Sequence, residues 1–87
     1  MKADKAAVSR LLKTARGQIE GILKMVEEDR YCMDISNQLM ATEKILHKAN
    51  KEVLRAHMEG CVKDAFQSGN EKEKIAEIVE LIDKLAK

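Results

Sequence analysis

Apolar residues recur along this chain at alternating steps of three and four. Val8, Leu12, Ala15, Ile19, Ile22 and Val26 form the first such row, a heptad seam sustained for nearly three repeats. Asp4 is an acceptable N-cap just ahead of it. The pattern predicts a helix from Asp4 to about Glu28, with Leu11 and Leu23 widening its stripe. Gly17 and Gly21 lie inside it. Each costs up to about 1 kcal/mol against alanine, and glycines four apart let another backbone approach closely. Glu27-Glu28-Asp29-Arg30 ends the row in a short polar turn.

A second row reads Ile35, Leu39, Thr42, Leu46, Ala49, Val53, Ala56 and Gly60, with small residues at alternate positions. It predicts a helix from Cys32 or Met33 to about Ala65. At about 1.5 Å per residue such a helix is near 50 Å long, too long for one small core to cover. It is expected to be the spine of a dimer. Thr42, its one polar member, can bond back to a carbonyl one turn earlier. Ser68-Gly69-Asn70 is a stop, with Gly supplying a left-handed residue. A third helix is predicted from Glu71 to about Ala86, with Ile75, Ile78, Val79, Ile82 and Leu85 or Ala86 as its apolar face.

Three helices in 87 residues make one small all-α domain spanning residues 1–87. With one Phe, one Tyr and no Trp, the chain lacks the side chains that usually fill a small core, which again points to helices burying their stripes against another copy. No run approaches the roughly 18–20 apolar residues of a membrane span, and no apolar signal-peptide core follows the amino terminus. A cytoplasmic protein without membrane partners is the expectation. In that compartment two cysteines serve as ligands, sensors or buried thiols rather than as a structural disulfide. Net charge is +1, but residues 1–16 carry +4 and residues 17–34 carry −3. Symmetry can gather such basic ends onto one face, although alternating charge also describes an ordinary solvated helix surface. No acid–base pair, activated nucleophile or phosphate loop stands out, so an enzyme is not expected.

The chemistry concentrates at Cys32, His57 and Cys61. His57 and Cys61 are four residues apart, hence on one helical face. Cys32 is 25 residues before His57, roughly 37 Å away on a continuous helix, so one chain cannot bring the three together. If the long helix pairs antiparallel with a copy, so that Cys32 meets the other chain's His57–Cys61 pair, the two-fold axis passes near Ile45 and Leu46, where the helix is apolar. Two thiols and an imidazole suit a soft d10 ion. Cu(I) is satisfied by three ligands, whereas Zn(II) generally takes four. No CxxC pair makes a zinc ribbon, and His47 lies too far along the helix to join. Buried cysteines also occur as plain small hydrophobes, and spacing alone leaves both readings open.

Beyond spacing, Arg16-Gly17-Gln18-Ile19-Glu20-Gly21-Ile22, Met25-Val26-Glu27-Glu28-Asp29-Arg30-Tyr31-Cys32-Met33-Asp34-Ile35, Gln38 and His57-Met58-Glu59-Gly60-Cys61-Val62 resemble the copper-sensing repressor family (CsoR/RcnR type). The resemblance covers residues 8 to about 82. It implies a dimer of dimers, a flat tetramer, with Cu(I) bound by Cys32 of one chain and His57 and Cys61 of the next. It places Tyr31 and Glu77 around that site, Glu77 reaching the His57 imidazole from helix three. It further implies operator binding by the metal-free protein through basic residues of helices one and two. Arg10, Lys13, Arg16 and Lys48 are the candidates here, with Lys5, Lys44, Lys51 and Arg55 as further phosphate contacts. The family usually carries an arginine where this chain has Leu11, with Arg10 one place earlier.

Nickel and cobalt sensors of this type add histidines, one of them near the amino terminus. This chain has none before His47 and keeps Cys61. Formaldehyde sensors carry an amino-terminal proline, and this chain has no proline. Persulfide sensors keep both cysteines but lack the histidine. The expectation is a Cu(I)-responsive repressor that leaves its operator when copper binds, derepressing copper-resistance genes. Its rivals are a persulfide-sensing repressor using Cys32 and Cys61, and a helical metal-binding or interaction protein that never touches DNA.

Overall fold

The computed structural model describes residues 1–86, which form three helices: α1 (Lys5–Glu27), α2 (Cys32–Ser68) and α3 (Glu71–Ala86). Each boundary has a local cause. Asp4 caps α1, its Oδ1 accepting from the N–H groups of Ala6 and Ala7. At the other end, Arg30 N–H donates to Met25 C=O and Asp29 N–H to Val26 C=O, a Schellman stop. The left-handed residue in it is Asp29, with φ 51°, one of the few non-glycine types that tolerate that region. The carbonyl of Tyr31 accepts from Asp34 and Ile35 to open α2. Gly69, with φ 78°, closes it. The second helix runs three residues beyond the expected Ala65, as far as Ser68, whose hydroxyl donates back to the Asp64 carbonyl.

Two compact units result, one of residues 4–52 and one of residues 1–3 with Val53 onward. In the first, α1 packs on the opening part of α2. Val8, Ala15 and Ile22 of α1 are buried, as are Thr42 and Ala49 of α2. Ala15 is only 2% exposed, which marks a close approach of two helices through small residues. Leu11, Gln18 and Met25 flank these positions half-buried, and so do Ile35 and Ile45. Alternate members of the expected seams, Leu12, Ile19, Val26, Leu39 and Leu46, are exposed in the single chain. Each helix carries a stripe wider than one partner covers, and the contact within the chain takes one side of it. Polar matching accounts for the choice at Gln18. The Thr42 hydroxyl donates to Gln18 Oε1 at 2.8 Å and lies 3.1 Å from the Gln38 carbonyl, so Gln18 turns in and Ile19 out. No atom comes within 4 Å of where a Cβ would stand at Gly17 or Gly21. The close backbone approach expected there is not made within this chain.

In the second unit, the last part of α2 packs on α3. Cys61, Ala65 and Ala3 are buried. From α3, Lys74, Glu77, Ile78, Leu81 and Leu85 are half-buried, a helical i, i+3, i+4, i+7 face. Ile75, Val79 and Ile82, expected on the apolar face, are exposed. The Lys2 side chain lies over Gly60, across the place a Cβ would take, and its ammonium donates to Asp64 at 2.9 Å. Among the described residues no large side chain is completely buried, and no helix is long and apolar enough to cross a membrane.

Candidate metal centre

The i, i+4 spacing of His57 and Cys61 on α2 brings Cys61 Sγ to 3.3 Å from His57 Nε2. The same nitrogen is 2.9 Å from Glu77 Oε1 on α3. The other oxygen of Glu77 accepts from the Lys74 ammonium at 3.3 Å, one turn earlier on the same helix. The four groups form a chain: thiol, imidazole, carboxylate, ammonium. Cys61 is buried, while the side chains of His57 and Glu77 are 46% and 38% exposed. The site is thus closed on its sulfur side and open to solvent along its imidazole and carboxylate.

The hydrogen bond from His57, and then the bond and charge of Lys74, hold the Glu77 carboxyl below the usual carboxylate range. The bond to Glu77, and then the nearby Cys61, raise the Lys74 ammonium. An ionised carboxylate accepts and cannot donate. Nε2 therefore carries the proton in its contact with Glu77. His57 would hold an ion through Nε2 only by giving up that proton, a change that Glu77, and hence α3, would feel.

One donor atom each from His57, Cys61 and Glu77 lie within 4.8 Å of one another, the group of possible ligands found among the described residues. Cys32 is not part of it. It stands exposed at the first residue of α2 with its thiol free. Tyr31 precedes it, 68% exposed. Lys74 was not anticipated. Its i, i+3 spacing from Glu77 is the signal that finds it. The donor set, a buried thiol beside an imidazole, fits a soft or borderline ion.

Arg10, Lys13 and Arg16 are exposed on α1 and Lys48 is exposed on α2. None of the four forms an ion pair among the described residues. Arg55 is engaged, its guanidinium 3.0 Å from Glu59. Leu11 is half-buried on the inner face of α1 and Arg10 exposed beside it, so the helix presents Arg10 to solvent.

Comparison with known proteins decides the family. The family model described as a metal-sensitive transcriptional repressor matches residues 4–84. This chain belongs to the metal-sensitive transcriptional repressors. The chain is 40% identical over 78 residues to the copper-sensing transcriptional repressor CsoR of Mycobacterium ulcerans, covering 90% of this chain and 66% of that protein. It is 36% identical over 84 residues to CsoR of Bacillus subtilis, covering 97% and 83%. Among solved structures it superposes with a TM-score of 0.83 on the Cu(I)-bound CsoR of Geobacillus thermodenitrificans, at 31% identity over 100% of this chain and 94% of that one. The nickel-responsive regulator InrS also gives a TM-score of 0.83, at 27% identity over 98% and 96%. Backbone shape is therefore shared by regulators named for different metals, and the donor atoms must distinguish them.

Proposed function

We propose that this repressor responds to Cu(I): metal-free, it holds operator DNA, and Cu(I) binding releases it. The observation that carries the reading is the buried thiol of Cys61 held 3.3 Å from the His57 imidazole, a soft donor pair one helical turn apart, in a chain whose curated relatives include copper-sensing repressors. Cys32 of the partner subunit completes the set in an antiparallel pairing of α2, and residues 1–87 act as one sensing and DNA-binding domain in the cytoplasm. Cu(I), when bound, supplies a two-sulfur, one-nitrogen link between subunits. The exposed apolar rows of α1 and α2 support assembly into a dimer and then a tetramer. Glu77 and Lys74 hold the His57 ring, with Tyr31 beside Cys32, and such outer partners orient ligands. Arg10, Lys13, Arg16 and Lys48 supply the operator contacts. Regulation of transcription, rather than catalysis, is the role.

The test is operator affinity with and without Cu(I) at one fixed salt concentration, since salt alone moves such affinities. Equal affinities would sink the reading. X-ray absorption of the copper-loaded protein should give a three-coordinate site with two sulfurs and one nitrogen. The exposed free thiol of Cys32 favours a second reading, in which persulfide sulfurs bridge the two cysteines. His57→Ala separates the two, removing the copper response and sparing a persulfide response.

A further inference from the structure

We propose that His57, Cys61 and Glu77 of a single subunit also form a site for a borderline divalent cation of the Zn(II) or Co(II) class. This site differs from the copper site in its donors, taking the Glu77 carboxylate where the copper site takes Cys32 of the partner subunit. Three features carry the inference. The first is distance. At tetrahedral angles, Zn(II) bonds of about 2.3 Å to sulfur and about 2.0–2.2 Å to nitrogen and oxygen set donors roughly 3.3–3.6 Å apart. The imidazole nitrogen here is 3.3 Å from Cys61 Sγ and 2.9 Å from Glu77 Oε1, and all three donor atoms fall within 4.8 Å of one another. An ion enters by opening the Glu77–His57 hydrogen bond a few tenths of an ångström and drawing Cys61 Sγ and the Glu77 carboxylate, now within 4.8 Å, to the same spacing.

The second feature is donor chemistry. A carboxylate is a poor ligand for Cu(I) and a good one for Zn(II), which binds sulfur, nitrogen and oxygen alike. A thiolate and a carboxylate also neutralise a divalent ion. On binding, the thiol proton of Cys61 leaves to solvent and the Nε2 proton leaves that nitrogen, for Nδ1 or for solvent, with no change of oxidation state. The third is the outer contact. Lys74 holds Oε2 of Glu77 at 3.3 Å while Oε1 faces the His57 imidazole, the arrangement of a monodentate carboxylate oriented from behind. A fourth position remains for water, reached from the half-exposed imidazole and carboxylate side.

A divalent ion so held needs no second subunit. Resting now on the copper reading, it competes with Cu(I) for His57 and Cys61 without recruiting Cys32 of the partner subunit, and leaves the operator complex intact. Zn(II) is thus an antagonist rather than an inducer.

Co(II) titration tests the site, read by the thiolate-to-cobalt absorption band and the visible bands of a tetrahedral ion, with Zn(II) displacing it. In Cys32→Ala the band should persist at full intensity per subunit while Cu(I) binding is crippled. Glu77→Gln should weaken Co(II) by at least about 10-fold, the lower end of what losing even an outer-sphere partner costs. A Cys32→Ala variant that loses or halves the band, or a Glu77→Gln variant as tight as wild type, overturns the site. X-ray absorption on the Zn(II)-loaded wild-type protein tests the same donor set without any variant. One sulfur among nitrogen and oxygen donors supports the site, and two sulfurs overturn it. Operator affinity in Zn(II) should change by less than the roughly 5-fold floor of ordinary allosteric coupling, and a larger fall overturns the antagonism alone. Cu(I) binding left unaffected in Cys32→Ala counts instead against the copper reading, whatever the Co(II) result.

Discussion

The inner faces of the two units are built from different chemistry. Between α1 and the opening part of α2, buried Val8, Ala15, Ile22 and Ala49 are interrupted by one hydrogen-bonded pair, Thr42 with Gln18. Between the last part of α2 and α3, the face includes a thiol, an imidazole, a carboxylate and an ammonium in sequence. The first arrangement is held by close packing of small residues, which tolerates little change of volume. The second is held partly by polar contacts to half-exposed groups, and elements with few buried apolar contacts open most easily. A sensor needs both: a helix pair that keeps its shape, and a helix whose seating depends on what binds beside it.

The sharpest way to break the comparison is Cys61→Ala. Copper should then leave operator affinity unchanged, where the wild-type protein loses it by a factor in the usual coupling range of about 5–150, as read by anisotropy of labelled operator. Release of DNA by copper in this variant would contradict the assignment of the polar unit as the sensing one. Next in size is Ala49→Leu, which overpacks the α1–α2 contact and should cost about 1–3 kcal/mol in chemical unfolding. Gly69→Ala forces a side chain into a left-handed residue and should cost about 1–2 kcal/mol without altering copper affinity. Thr42→Val removes the hydroxyl that meets Gln18 and should cost about 1 kcal/mol. A stabilised Thr42→Val would mean that the polar pair is not what turns Gln18 inward.

The smallest effect is expected from Asp64→Asn. Lys2 holds the Asp64 carboxyl below its ordinary value. A lowered folded-state value contributes stability above the unfolded carboxylate pKa and loses it as pH falls through the folded one. Any difference between Asp64→Asn and wild type should therefore shrink on acidification below the usual carboxylate range. Because both side chains are largely exposed, solvent screening keeps it small even at neutral pH. A thermal melt series across that range checks it.

Helix number, order and ends were legible from residues whose local chemistry admits little choice: Asp4 as a cap, Gly69 as a left-handed stop, a polar run after Val26. The pairing of His57 with Cys61 was legible too, because an i, i+4 spacing on a helix leaves no freedom. Which side of each stripe turns inward was not. Leu11 and Leu12, or Gln18 and Ile19, stand about 100° apart, and hydropathy ranks Ile19 as the buried member of its pair. The structure reverses that order because Thr42 offers Gln18 a partner, and this depends on how two distant segments meet. Lys74 was hidden for a similar reason. A lysine on a charged helix is ordinary until Glu77 is seen to face an imidazole.

The absence of any large, completely buried side chain among the described residues has a thermodynamic corollary. If Leu12, Ile19, Leu39 and Leu46 are covered only when copies assemble, as proposed, folding and association are a single equilibrium. The melting temperature then rises with protein concentration by mass action. Operator DNA, by gathering copies, acts as a stabilising ligand of the fold itself. A scarce repressor of this design is most secure when seated on its operator.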